Sequence, residues 1–324
     1  MSRSSPNLTR RCLLAMTGAT LICAPAVLHG APAVQHINGA AFGSTWRVTL
    51  PDLTGTETLR PALAKLLADI DRLMSPWRGD SEISAFNRAS GPTALSGETT
   101  RVVAAALDIA QASDGWFDPT VGPQVRKLGF GPIEGANGRW TGLHMQDNHL
   151  SKDDARLTMD PCGIAKGHAL DLMRDALIAA GCRHFLIDLG GELAAYGHHP
   201  SGRGWQIAIE DPRPDVVSGS AVMQLGDLAV ATSGNRAQGF DHGGHRQGHI
   251  IDPHRARPAL GTLASVSVLS DSAMIADGWA TALMAAGDTG PDLARRKGIS
   301  ALFLFAKADG LRRVMTADFD RHML

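Results

Sequence analysis

An α+β fold, with mixed or antiparallel sheets flanked by helices, is what this sequence predicts. Strand-like runs follow one another in series, as in "WQIAIED", "DLAVATSG", "QGHIID" and "LASVSVL", with no helix between successive runs. Helical periodicity is confined to a few longer stretches. The strict strand–helix alternation that marks a doubly wound sheet is missing. Gly190-Gly191 follows a buried strand but does not form a G-x-G-x-x-G, so a dinucleotide fold has no support.

The elements read in order as follows. "STWRVTL" (44–50) alternates Trp46, Val48 and Leu50 and predicts a first strand. Leu59, Leu63, Leu66, Ile70 and Leu73 recur at helical spacing, with Pro61 tolerated in the first turn. Pro76 stops that helix and Gly79 turns the chain. A second helix covers "TTRVVAAALDIAQAS" and breaks at Asp114-Gly115. Residues 129–150 are rich in Gly, Asn and turn pairs, which predicts a boundary or long loop. "KGHALDLMRDALIAAG" is a helix with Leu170, Met173 and Leu177 inward and Gly181 as its stop. "HFLIDLGGEL" is a buried strand, and "ISALFLFAKADGLRRVM" a hairpin turning at Asp309-Gly310.

The 324 residues fit one large or two closely joined domains, and a net charge of −1 with no basic stripe argues against a nucleic-acid partner. Residues 1–33 are set apart: Arg10-Arg11, an apolar run, then Ala-Pro-Ala at 24–26. That is the layout of a secretory signal, and the paired arginines point to twin-arginine export into the periplasm. A retained membrane anchor is the other reading, although the apolar run is short for a bilayer. Cys23 does not suit lipoprotein processing, because Ile22 before it is too bulky. The folded domain is then 34–324. Its cysteines, Cys162 and Cys182, have no CxxC or other metal-type spacing and are expected to be two buried thiols.

Several segments carry polar residues that a plain core would not need. "GWFDPTVGP" (115–123) sets Asp118 between aromatics and a proline bend; "DPCGIAKGHALD" (160–171) leads into a helix with Gly163 and Lys166 at its start. A helix N-terminus with a lysine suits phosphate, while the two Asp-Pro pairs also suit plain turns. "GHIIDP" (248–253) ends a strand on His249, and "DSAMIADGWATAL" places Asp277 and Thr281 one helical turn apart. Those two oxygens suit either a hard cation or a local hydrogen bond. The histidines His242, His245, His249 and His254 look superficially like a zinc site, but their spacing fits no common structural pattern. Trp77, in the turn "PWRG", reads either as core or as the wall of a pocket.

In order and across nearly the whole of 34–324, these segments resemble the ApbE family of FAD:protein FMN transferases. "FGST" (42–45) stands where the family has "MGT", and "MSPWRGDSEISAFN" (74–87) where it has "MSxYxxxSEIsxlN". "FDPTVGPQVRKLGFG" (117–131), "DPCGIAKGHALD", "HIIDPHRARP" (249–258) and the closing Asp277–Leu283 follow the family pattern closely. Phe42 replaces methionine, Trp77 tyrosine, Cys162 glycine, and Arg255-Ala256 Thr-Gly. The aromatic swap keeps a stacking surface; the Cys162 and Ala256 changes bear on backbone geometry.

The resemblance implies an ApbE-like (T-fold-like) architecture and Mg²⁺-dependent transfer of the FMN half of FAD to a Thr or Ser hydroxyl of an acceptor protein, releasing AMP. It implies that Gly163, Asp277 and Thr281 hold Mg²⁺ and that His249 takes the proton of the attacking hydroxyl. Phe42, Trp77, Trp116, Phe117, Asp118, Asp160, Lys166 and Ile251 would form the FAD pocket. Exported respiratory or nitrous-oxide-reductase maturation flavoproteins, membrane-associated ones among them, fit the acceptor class. "TGAT" (17–20) resembles an acceptor motif but lies in the signal's apolar run, where a match of that length is coincidence. Two alternatives remain at this stage: an FAD pyrophosphatase giving FMN and AMP, and a flavin-binding protein without catalysis.

Overall fold

Trp46 is the first anchor of the core, and the chain builds a hairpin around it. Strand β1 (Gln35–Ala41) pairs antiparallel with β2 (Ser44–Leu50), and Gly39 lies opposite Trp46. A Cβ on Gly39 would sit 2.7 Å from the indole, so the glycine lets the strand close over the ring. Sequence pattern identifies β2 but not β1, whose "QHINGAA" has no apolar alternation. The computed structural model describes residues 34–324 apart from 53–54, 214–215, 217–218, 236–238, 243–244 and 260. The expectations for residues 1–33 lie outside the described residues.

Helix α1 (Leu59–Met74) buries Leu59, Leu63, Leu67, Ile70 and Met74. Leu66 and Leu73, expected on that face, are partly buried shoulders beside it. Each fully buried leucine contributes roughly 1.5–3 kcal/mol over an exposed one. A short helix, α2 (Glu82–Arg88), was not expected; Ser81 caps it by accepting from the Ser84 amide at 3.0 Å. After β3 (Thr93–Ala94) come α3 (Gly97–Ala112), capped by Ser96, and α4 (Gly122–Lys127). The expected loop at 129–150 ends in two strands, β4 (Leu143–Gln146) and β5 (His149–Lys152), which join β3 in a three-stranded sheet. Dense turn residues hide such short strands from a periodicity reading.

Helix α5 (Ala165–Ala179) buries Leu170, Met173 and Leu177 as expected, and Gly181 takes the left-handed φ of +87° just beyond its end. Strands β6 (Phe185–Leu189) and β7 (Glu192–Tyr196) meet across Gly190-Gly191. A separate ribbon, β8 (Trp205–Glu210) with β9 (Gly219–Leu225), precedes β10 (Ala229–Gly234). "QGHIID" is not one strand. It splits into the end of a hairpin, β11 (Gly239–His242) with β12 (His245–Gly248), and the start of another, β13 (Ile251–Asp252) with β14 (Arg257–Pro258). The chain closes with β15 (Leu263–Ser270), α6 (Ala273–Ala286), α7 (Gly290–Lys297), β16 (Ser300–Lys307) and β17 (Gly310–Thr316). In the last hairpin Lys307 pairs with Gly310, so the turn is Ala308-Asp309, one residue earlier than expected.

The main sheet runs β1-β2-β6-β7-β10-β15-β16-β17, and every ladder among the described residues is antiparallel. One face packs on the helices, where Val48, Ile187, Val266 and Phe303 meet Leu63, Met173 and Leu283 in one core. The other face is covered by β8 and β9, whose Trp205, Ile207 and Met223 pack with Val230, Leu269 and Leu302. Central strands covered on both sides lose the polar alternation of a half-exposed sheet, which is why "SALFLFAK" reads as a continuous apolar run.

Candidate active site

Strand β10 pairs with β7 only at Ala229 and Val230, then the two diverge. The gap opens a cavity of about 940 Å³, with Gly190–Glu192 on one wall and Thr232–Gly234 on the other. Every site residue expected from the sequence lines this one cavity: Phe42, Trp77, Trp116, Phe117, Asp118, Asp160, Gly163, Lys166, His249, Ile251, Asp277 and Thr281.

The crossing of α5 and α6 makes its floor. A Cβ on Gly167 would stand 2.3 Å from the Ala273 carbonyl oxygen and 2.8 Å from Asp277 Cβ, so only glycine lets the helices come this close. Asp171, one turn along α5, caps α6: it accepts from Ser272 Oγ at 2.7 Å and from the Ala273 and Met274 amides at 2.8 and 3.0 Å. With the crossing locked, the Gly167 amide donates to Asp277 Oδ2 at 2.9 Å. It is the only hydrogen bond to that carboxylate among the described residues. Thr281 Oγ1 donates to the Gly163 carbonyl at 3.3 Å, and a Cβ on Gly163 would be 2.9 Å from that hydroxyl. A carboxylate, a hydroxyl and a carbonyl thus converge, an all-oxygen set that fits a hard divalent cation. Burial pushes the Asp277 carboxyl up from its ordinary range, against the pull of Lys166 and the Gly167 N–H.

Lys166 rises from α5 beside Asp277, and its Nζ lies 2.6 Å from Glu192 Oε2. Burial alone would lower the lysine; Glu192 and Asp277 outweigh it and raise its pKa, so it stays cationic. Burial pushes Glu192 upward too, again opposed by Lys166. Sequence reasoning missed Glu192. The one available signal was an acid placed directly after Gly-Gly at the start of an otherwise apolar strand.

The wall from the first half of the chain is built by residues that support rather than point inward. Glu82 accepts from the Ser96 amide and hydroxyl, at 3.1 and 2.9 Å. Asn87 clamps Met159 from both sides, donating to its carbonyl at 3.0 Å and accepting from its amide at 2.7 Å, which fixes the approach to Asp160. Asp118 accepts from the Thr120 amide and hydroxyl and from the Trp140 amide. Its carboxylate is therefore engaged within the wall, and burial still raises its pKa. Asp160 accepts from the Cys162 amide at 3.0 Å; burial raises its pKa as well, with His249 among the groups pulling it down. Phe42 holds a left-handed φ of +53° beside Gly43 at +70° in the β1–β2 turn, an uncommon conformation for an aromatic residue. Trp77 is 62% exposed at the rim.

Two departures from the resembling pattern resolve differently. Ala256 keeps a glycine-like φ of +49°, whereas Cys162 is absent from the residues with positive φ. The cysteines are both free, but the expectation of two buried thiols does not hold: Cys162 is exposed at the cavity and Cys182 is half-buried.

On the remaining wall, His249 sits in the break between β12 and β13, its ring 5.7 Å from that of Phe130. Asp252 holds the next turn by accepting from the His254 and Arg255 amides and the Arg255 guanidinium. The His254 ring then meets Trp116 edge-on at 4.4 Å.

Along nearly its whole described length the chain is similar to known proteins. A family model described as "ApbE family" matches residues 42–303. An FAD:protein FMN transferase of Vibrio cholerae is 36% identical over 309 residues, covering 89% of this chain and 92% of the relative. One from Salmonella typhimurium is 30% identical, with 91% of each chain covered. Among solved structures, the flavin transferase ApbE of Vibrio cholerae superposes with a TM-score of 0.80 at 33% identity, covering 90% of this chain and 99% of that one. The flavinyl transferase ApbE of Pseudomonas stutzeri, in its apo form, gives 0.79 at 31% identity, covering 91% and 98%.

Proposed function

The chain belongs to the ApbE family, and from that premise we propose that its cavity takes FAD and passes the FMN half to an acceptor protein. The protein is a transferase, as its curated relatives are. The finer reading is that a Thr or Ser hydroxyl of the acceptor attacks the phosphorus of the FMN half and AMP leaves. The observation that carries it is the convergence of Asp277, Thr281, the Gly163 carbonyl and Lys166 in one cavity large enough for a dinucleotide.

Asp277, Thr281 and the Gly163 carbonyl would hold Mg²⁺. Held there, the ion would supply charge neutralisation at the transferring phosphate, the main demand of such a reaction. Lys166 presents its ammonium to the diphosphate. Trp77 and Phe42 offer apolar and aromatic surface to the flavin or adenine ring. His249 accepts the proton of the incoming hydroxyl, a role typically worth about 10²–10⁴-fold in rate.

The location belongs to the same proposal: the twin arginines suggest export to the periplasm, where respiratory or nitrous-oxide-reductase maturation flavoproteins would be acceptors. The deciding experiment incubates the protein with FAD, Mg²⁺ and a candidate acceptor domain. Covalent flavin on the acceptor together with AMP supports the transferase chemistry. FMN and AMP without covalent flavin would assign a pyrophosphatase instead.

A further inference from the structure

We propose that Glu192 is a positioning residue for Lys166: its carboxylate draws the ammonium away from Asp277 and so keeps Asp277 open to a divalent cation. The inference rests on the cation-dependent reading of the site given above, and deepens it.

Lys166 stands between two buried acids, with Glu192 4% and Asp277 5% exposed. Its ammonium chooses Glu192, at 2.6 Å, and among the described residues no ion pair within 4.0 Å joins it to Asp277. Asp277 meanwhile keeps only the Gly167 amide on one oxygen. A lysine ammonium is a compact charge on a flexible stem and would follow the nearest anion. Without Glu192 that anion is Asp277, and a Lys166–Asp277 pair would compete directly with an incoming cation.

Glu192 cannot follow the lysine in turn. It is the first residue of β7, paired with Leu189, behind a turn in which Gly190 and Gly191 have φ of +62° and +101°. Asp188 pins that turn by accepting from the Gly191 amide at 3.1 Å. The contact with Glu192 at 2.6 Å engages no more than one of the three N–H groups of the ammonium. Donors of the ammonium are therefore left for phosphate oxygens in the cavity. Of the two acids beside Lys166, Asp277 is the one the ammonium leaves without an ion pair, and that is the end where a cation would sit.

The test is equilibrium Mn²⁺ binding by electron paramagnetic resonance in the absence of FAD, on the wild type, Asp277→Asn, Glu192→Gln, Lys166→Met and the Glu192→Gln/Lys166→Met double variant, with melting curves as a check on folding. Glu192→Gln should weaken Mn²⁺ binding by about tenfold or more, the usual scale for losing an outer partner of a metal site. The double variant should recover most of that loss, because the competing ammonium is gone; a merely structural role would give no recovery. Glu192→Asp keeps the charge and should stay nearer to wild type, which covers the case in which glutamine disturbs the fold. Wild-type affinity in Glu192→Gln, or a double variant as weak as the single, overturns the proposal. A wild type that binds no Mn²⁺, or an Asp277→Asn that binds it equally well, overturns the cation reading of the site and this inference together.

Discussion

The floor and the rim of the cavity are built on opposite principles. On the floor three polar side chains are tied to backbone of another element: Asp277 to the Gly167 amide, Thr281 to the Gly163 carbonyl, Asp171 to the start of α6. Glycines at 163 and 167 leave no room for a side chain. At the rim, Trp77 is largely exposed, and neighbouring Arg78 makes, among the described residues, only local ion pairs to Asp80 and Asp71, at 3.0 and 3.6 Å. Exposed pairs of that kind contribute little to stability. A floor made this way tolerates no shift in atom position, whereas a rim can exchange tyrosine for tryptophan and still offer a ring. Chemistry should fail abruptly on the floor and binding should fade gradually at the rim.

The sharpest way to break this contrast is Asp277→Asn. It keeps volume and can still accept from Gly167, but removes the one carboxylate of the proposed cation-binding set. Flavin transfer should be abolished at any accessible Mg²⁺ concentration, while the melting temperature holds or rises, because a buried carboxylate is removed. Near-wild-type turnover at limiting Mg²⁺ would end the metal assignment.

His249→Ala is the next largest. If His249 acts on the incoming hydroxyl, kcat should fall by about 10²-fold or more with little change in FAD affinity. Equal losses of affinity and rate would make His249 part of the pocket wall and move it to the rim side of the comparison. Trp77→Ala tests the rim itself: loss of one stacking surface of roughly 1–3 kcal/mol should raise KM for FAD about tenfold and leave kcat within about twofold. Trp77→Tyr should restore most of it. A collapse of kcat at Trp77 would erase the distinction.

How much of this could be read from the sequence also divides along floor and rim. Asp277 and Thr281 were legible as a pair because helical spacing is local, and α6 forms where the spacing puts it. The convergence of chain-distant segments on one cavity was legible only through the resemblance, since no spacing rule brings residue 77 to residue 277. Asp118, Glu82 and Asn87 sit in conspicuous motifs yet direct their polar atoms into the wall, a distinction that needs hydrogen-bond partners in view. Glu192 escaped notice because its partner Lys166 lies on another element, and nothing local marks an acid as buried. Strands β1 and β4 were hidden for a different reason: an edge strand that covers one indole, or one of four residues among turns, carries no periodic signal.

The smallest expected effect lies behind the floor. His168 follows Lys166 on α5, is 2% exposed, and its Nε2 lies 2.8 Å from Glu98 Oε2 on α3. Burial lowers its pKa below 6.5; Glu98 and Asp171 pull the other way, and Arg101 adds to the lowering. A histidine depressed by folding binds its proton more tightly when unfolded, so its contribution is intact above about pH 6.5 and is lost as pH falls through that value. The floor carboxyls have the opposite sign. Burial pushes Glu192 and Asp277 upward, so keeping these carboxyls ionised in the folded state costs stability that grows as pH rises above their ordinary range. Between pH 5.5 and 7 the two act against each other, and the wild-type melting profile should be flatter than either alone would give. His168→Gln keeps a donor for Glu98 and removes the titration. The difference in melting temperature between wild type and variant should therefore move in the variant's favour as pH drops from 7 to 5.5, by no more than about 2 °C for a chain of this length. A difference that stays constant across that window would mean that His168 is held by packing alone, and that the space behind the floor is as insensitive to charge as the rim.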